Sequence, residues 1–125
     1  MTVRKRSRTS AKKAGAQFEK QVAEYLANHV DDRIERRSKG GIHDRGDITG
    51  LRHMGMRIVV ECKNTARINL STWASEVEIE RGNDDAQVGL IAHKRHGNNT
   101  PGDQWVSMTL RDLVALLTGA RPDDA

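Results

Sequence analysis

Residues 46–63 read GDITGLRHMGMRIVVECK, and this stretch decides the architecture. Ile58, Val59 and Val60 lead into Glu61, Cys62 and Lys63, a β-rich run that predicts a strand over 58–63. Side chains alternate along a strand, so Glu61 and Lys63 share one face and Cys62 takes the other. A carboxylate and an ammonium on an otherwise apolar strand are costly unless paired or bound to a metal. Residues 47–51 form a second, short extended segment, and 53–56, with Gly55, read as a hairpin turn. Such a hairpin brings Asp47 beside Glu61. Two carboxylates aimed at one point repel each other, and a hard divalent cation relieves that repulsion. Mg²⁺ takes oxygen ligands, commonly one or two carboxylates with waters and phosphate oxygens. Lys63 beside such an ion would hold or activate a water against a phosphodiester.

The elements on either side fit one mixed α/β domain. Ser10 caps a predicted helix over 10–29 whose inward stripe is Phe18, Val22, Tyr25, Leu26 and Val30. Asp31 and Asp32 break it, 34–38 is a short strand, and Gly40-Gly41 opens a loop. A second helix is predicted over 70–81, with Leu70, Trp73, Val77 and Ile79 inward, ended by 82–85. Residues 88–93 form an apolar strand, 95–103 a polar loop, 105–109 another strand, and 110–117 a last helix stopped by Gly119. The expected order is α-β-β-β-α-β-β-α.

Composition narrows the function. The chain has 125 residues, 36% of them apolar, with four aromatics and one Cys. Its core must be small, and a second subunit would help to close it. One Cys allows no internal disulfide and no Cys-x-x-Cys site, which suits a reducing, cytoplasmic setting. No signal peptide and no membrane-length apolar run is visible. The charge is uneven. Arg4, Lys5, Arg6, Arg8, Lys12 and Lys13 stand in residues 1–13 without an acid, leaving 15 basic against 17 acidic residues in the body. The expected layout is a flexible basic arm over 1–13, a single domain over 14–120 and a frayed tail over 121–125. A basic arm on a near-neutral body suits attraction to a phosphate backbone.

Phe18-Glu19, Arg36-Arg37, Gly46-Asp47-Ile48 and Glu61-Cys62-Lys63, followed by 70–73 and 89–94, together resemble the PD-(D/E)XK nuclease superfamily. The nearest likeness is to its small Holliday junction resolvases of archaeal and phage type, and it spans about residues 14–118. Gly46 stands where the family name has Pro. The resemblance implies a restriction-endonuclease-like αβββαβ core, with Asp47 and Glu61 as metal ligands and Lys63 orienting or activating the attacking water. It also implies that Glu19 reaches toward the metal, directly or through water. Glu76 or Glu80 would occupy a helix position that the family often gives to Gln.

Arg36, Arg37, Lys94 and Arg95 join the basic arm as expected DNA contacts, and 43–45, in the glycine loop, lies where it could approach DNA. His93-x-x-His96 has ligand-like spacing but no third ligand, so zinc is not read from it. Cys62, Trp73 and Trp105 read as core. The expectation is a Mg²⁺-dependent DNA endonuclease, with Mn²⁺ substituting, acting as a homodimer on branched DNA, with no membrane partner. Its rivals are a restriction-like, Mrr-like or RecB-like nuclease on duplex or ends, and a non-catalytic DNA-binding module.

The arm generates a testable expectation. Removing 1–13 should leave a folded domain that binds DNA weakly at moderate salt. If three or four of its charges meet phosphates, log K should fall with log[salt] about three units less steeply in the truncated chain. Equal slopes for both forms, measured as junction affinity across a salt series, would make the arm a bystander.

Overall fold

The parallel pairing of two strands around one helix organises the chain. In the computed structural model, which describes residues 7–37 and 43–123, the order is α1 (Arg8–His29), β1 (Glu35–Arg36), β2 (Ile48–Thr49), β3 (Arg52–His53), β4 (Met56–Lys63), α2 (Leu70–Asn83), β5 (Val88–His93), β6 (Trp105–Ser107) and α3 (Leu110–Thr118). A 3-10 turn at Pro101–Asp103 precedes β6. The sheet runs β1-β2-β4-β5-β6, and β3 pairs with β4 off this path. Only β4 and β5 are parallel, in register Ile58↔Val88 to Lys63↔His93; every other pair is antiparallel. The protein is thus α/β, with a mixed sheet flanked by helices, and it carries one more short strand than the sequence suggests.

The pleat sorts side chains as the sequence implies. Ile58, Val60 and Cys62 of β4, with Val88 and Ala92 of β5, join Phe18 and Ala23 of α1 in the larger core cluster. Trp73 and Val77 of α2 pack with Ile91. Glu61 and Lys63 alternate with the first set and therefore face α2. Helix α2 lies so close to β5 that a Cβ on Gly89 would sit 2.4 Å from Val77 Cγ1. Gly119 stops α3 as expected, with a left-handed φ of +88°.

Several sequence expectations are corrected. Helix α1 starts at Arg8, with Ser7 as its cap accepting from the Ser10 amide, so Arg8, Lys12 and Lys13 stand on a helix rather than in a flexible arm. A truncation that spares α1 ends at residue 6; Arg4, Lys5 and Arg6 lie outside the described residues. Tyr25 and Val30 are exposed, and the buried positions of α1 are Phe18, Glu19 and Ala23. Leu70 and Ile79 are exposed as well; the inward face of α2 is Trp73, Val77 and Glu80. Trp105 is 45% exposed, and Arg95 lies over its ring at 4.7 Å. Among the described residues, no helix is long and apolar enough to cross a membrane.

Gly89 offers a test of this packing. A Gly→Ala change gains roughly 0.4–1 kcal/mol from a stiffer unfolded chain. Forcing a methyl into a packed interface costs about 1–3 kcal/mol. Gly89→Ala should therefore be net destabilising, seen as a lower denaturant midpoint at unchanged slope. A midpoint at or above wild type would show that α2 moves aside freely.

Candidate metal centre

Six carboxylates are buried among the described residues: Glu19, Asp47, Glu61, Glu80, Asp84 and Asp112. Three have an arginine beside them. Glu19 accepts from Arg36 at 2.9 and 3.3 Å, Asp84 pairs with Arg37 at 3.5 Å, and Asp112 pairs with Arg121 at 2.6 Å. The other three gather at one point on the α2 side of the sheet. Asp44, Glu61 and Glu80 each bring a carboxylate oxygen within 4.8 Å of the others. Asp47 borders Glu61 and interacts with it. Glu61 Oε2 and Glu80 Oε2 are buried without a hydrogen-bond partner.

Each side chain arrives from a different element. Glu61 stands on β4, two residues before its end. Glu80 lies three positions after Val77 on the buried stripe of α2, so the helical period that packs Trp73 and Val77 also aims it at β4. Asp47 follows a sharp turn. Its amide donates to the Val60 carbonyl at 2.9 Å, and its Oδ2 accepts from the Cys62 amide at 2.8 Å. Gly46 makes that turn with φ +94°, and a Cβ there would meet Val59 Cγ1 at 2.8 Å. A proline, locked near −65°, could not adopt this conformation, so Gly46 is a different local solution from the Pro of the family name. Asp44 Oδ1 accepts from the Gly46 amide at 3.0 Å, and Asn83 Nδ2 donates to the Asp44 carbonyl at 2.8 Å, tying the loop to the end of α2.

The electrostatics follow from crowding. Burial, then the close approach of the Glu80 and Asp47 carboxyls, pushes the Glu61 carboxyl up to about 11. Burial also raises Glu80, with the Asp44 and Asp47 charges adding to it. Lys63 closes the row at the end of β4 and is held by Glu76 Oε2 at 2.6 Å. Burial alone would lower its pKa; the Glu76 hydrogen bond and the charges of Glu61, Glu76 and Glu80 outweigh that and raise it. Lys63 is therefore kept as a cation. His93, beside Lys63 in the parallel register, lies tilted against Trp73 with ring centroids 5.4 Å apart and contacts Ser107 Oγ at 2.8 Å; burial lowers its pKa.

The structure thus brings Asp47, Glu61 and Lys63 to one side of the sheet and leaves Glu19 outside the converging carboxylates, locked to Arg36. Asp44 and Glu80 complete the cluster. From sequence alone Glu80 has no assigned role and Asp44 is only part of a loop near DNA. The 73-77-80 spacing was the usable signal for Glu80; Asp44 has none, because its place depends on the Gly46 turn. Of the expected DNA contacts, Arg36 and Arg37 serve ion pairs, and Lys94 donates to Asn99 Oδ1 at 2.9 Å. Arg8, Lys12 and Lys13 stand exposed on the first turns of α1, where no acid offsets the helix dipole.

An all-oxygen donor set with two orphaned, buried carboxylate oxygens fits a hard divalent cation such as Mg²⁺ or Mn²⁺. No family model, no curated protein and no solved structure matches the chain.

The raised Glu61 pKa has a signed consequence. The unfolded chain releases this proton above about pH 4.5, whereas the native chain holds it until about 11, so native stability falls as pH rises through that window. Thermal melts in EDTA should show the wild type losing stability between about pH 5 and pH 8, and Glu61→Gln losing less. Added Mg²⁺ should raise the wild-type Tm and leave that of Glu61→Gln nearly unmoved. Parallel pH curves for the two chains would show that Glu61 does not carry the effect.

Proposed function

We propose that this chain is a metal-dependent endonuclease hydrolysing DNA phosphodiesters, with a restriction-endonuclease-like core and a preference for branched DNA of the Holliday junction type. The observation that carries the proposal is the convergence of Asp44, Glu61 and Glu80 within 4.8 Å, with Asp47 alongside, next to a cationic Lys63. The motif resemblance in 46–63 supports it, as does the mixed sheet with β4 and β5 parallel at its centre.

A bound divalent cation supplies charge that offsets the negative charge developing on a reacting phosphate and eases deprotonation of water. The chain's residues do the rest. Glu61, Glu80 and Asp44 offer the oxygens that hold such an ion. The Cys62 amide fixes one Asp47 oxygen and so orients that carboxylate toward Glu61. Lys63, held charged by Glu76, is a proton donor, so it positions a water or a phosphate oxygen rather than taking a proton from it. Trp73, Val77 and Ile91, the last paired with Glu61 across the strands, form the apolar packing on this face of the sheet. The exposed Val106, Leu110, Leu113 and Leu117, on edge strand β6 and on α3, give a second copy an apolar surface that suits the homodimer expected for paired nicks.

Cleavage of a four-way junction, a linear duplex and a plasmid, each in Mg²⁺ and in EDTA, tests the reading. The junction should be cut with paired nicks only when Mg²⁺ is present. Asp47→Asn, Glu61→Gln and Glu80→Gln should each abolish cutting while the fold persists. Lys63→Ala should lower turnover by roughly 10²–10³ with little loss of junction binding, as expected for one lost donor at the reacting phosphate. Metal-independent cutting, or binding of all three substrates with no cutting, would overturn the proposal.

A further inference from the structure

A second charged cavity, distinct from the carboxylate cluster, lies one helical turn further along α2. It measures about 180 Å³ and is lined by Arg37, Arg45, Arg52 and Arg57, with Asp84 as its one acid. Four guanidinium groups around a single carboxylate leave a strong positive excess. The existing bonds do not consume it. Arg37 reaches Asp84 at 3.5 Å, and Arg57 donates to the Asp84 carbonyl at 3.1 Å. Arg37 Nε is buried with no hydrogen-bond partner. Arg45 and Arg52 make no hydrogen bond or ion pair among the described residues.

The hairpin supplies an independent sign. Arg52 and Arg57 are direct cross-strand partners in the β3–β4 pairing. Like charges placed opposite each other are destabilising in an antiparallel pair. The chain nonetheless sets them together at the mouth of a cavity already holding two more arginines. An anion with several acceptor oxygens removes that repulsion. Guanidinium forks match phosphate oxygens in geometry as well as charge.

We propose that this cavity is a phosphate-binding site and that it holds a backbone phosphate of the nucleic acid cut at the carboxylate cluster. The second half of that statement rests on the nuclease reading; the first does not. Glu80 belongs to the carboxylate cluster and Asp84 to the cavity, four residues or about 6 Å apart along the helix axis. Asp44 and Arg45 are likewise consecutive, one in each site. The cavity would fix the register of a strand whose reacting phosphate lies at the carboxylates.

Arginine Nε–Hε signals of the full chain in EDTA, where no cutting occurs, test this with two probes: inorganic phosphate, and a short duplex with hydroxyl ends. Both probes should shift Arg37, Arg52 and Arg57. The Arg45→Gln/Arg52→Gln double variant removes the two arginines with no internal partner. It should lose these shifts, and its duplex affinity should fall with salt less steeply by roughly one unit of log–log slope. Shifts with inorganic phosphate alone would overturn the backbone assignment, and none with either probe would overturn the site. Duplex shifts in a chain that never cuts DNA in Mg²⁺ would uphold the cavity and sink the nuclease reading instead.

Discussion

Glu61 and Glu80 are buried against each other with no ion pair among the described residues, the nearby Lys63 being held by Glu76, and the molecule's chemistry turns on this. Removing an ion from water costs several kcal/mol even after relaxation, so buried carboxylates ordinarily stand beside a counter-charge. This protein obeys that rule elsewhere: Glu19, Asp84 and Asp112 each have an arginine. At the cluster it does not, and the Glu61 carboxyl responds by holding its proton to about 11. A site that presents buried carboxylate oxygens from several segments at one point suits an external cation. That contrast, more than the number of acids, is what separates the cluster from a solvated acidic patch.

The scaffold explains how such an unfavourable grouping persists. Glu61 sits on the central parallel pair, where strand position is fixed by hydrogen bonds on both sides. Helix α2 is anchored by Trp73 and Val77 over Ile91 and comes close because residue 89 has no side chain. Glu80 follows rigidly from that seating. The third contributor, Asp44, belongs to a loop pinned from below by Asn83 and turned by Gly46. Carboxylates carried by a strand, a helix and a tied loop hold their geometry better than ones on free loops. The arginine cavity uses the same parts one turn away, so packing of α2 sets both sites at once.

The strand at 58–63, the faces of Glu61 and Lys63, the α2 anchors Trp73 and Val77 and the Gly119 stop were all legible in the sequence. Each depends on local periodicity or on a single residue's backbone preference, and such signals survive without tertiary context. Part of what failed depended on contacts between distant segments. Ile79 is apolar, but the helical period points it to solvent and gives its inward place to Glu80. Glu19, expected to reach toward the metal, is held by Arg36, 17 residues away. Trp105, expected in the core, stands on an edge strand with Arg95 over its ring. Ser7 caps α1 instead of Ser10, because either serine satisfies the same local rule and nothing in the sequence ranks them.

The point shared by Asp44, Glu61 and Glu80 is the proposed divalent-cation site. Paramagnetic broadening by substoichiometric Mn²⁺, read residue by residue in the amide spectrum of the full chain, tests it most directly. Signals of 44–47, 61–63 and 80 should vanish first, excess Mg²⁺ should restore them, and Glu19 and Asp112 should stay sharp. Broadening that begins at other acids, or that spreads evenly over the surface and ignores Mg²⁺, would contradict it.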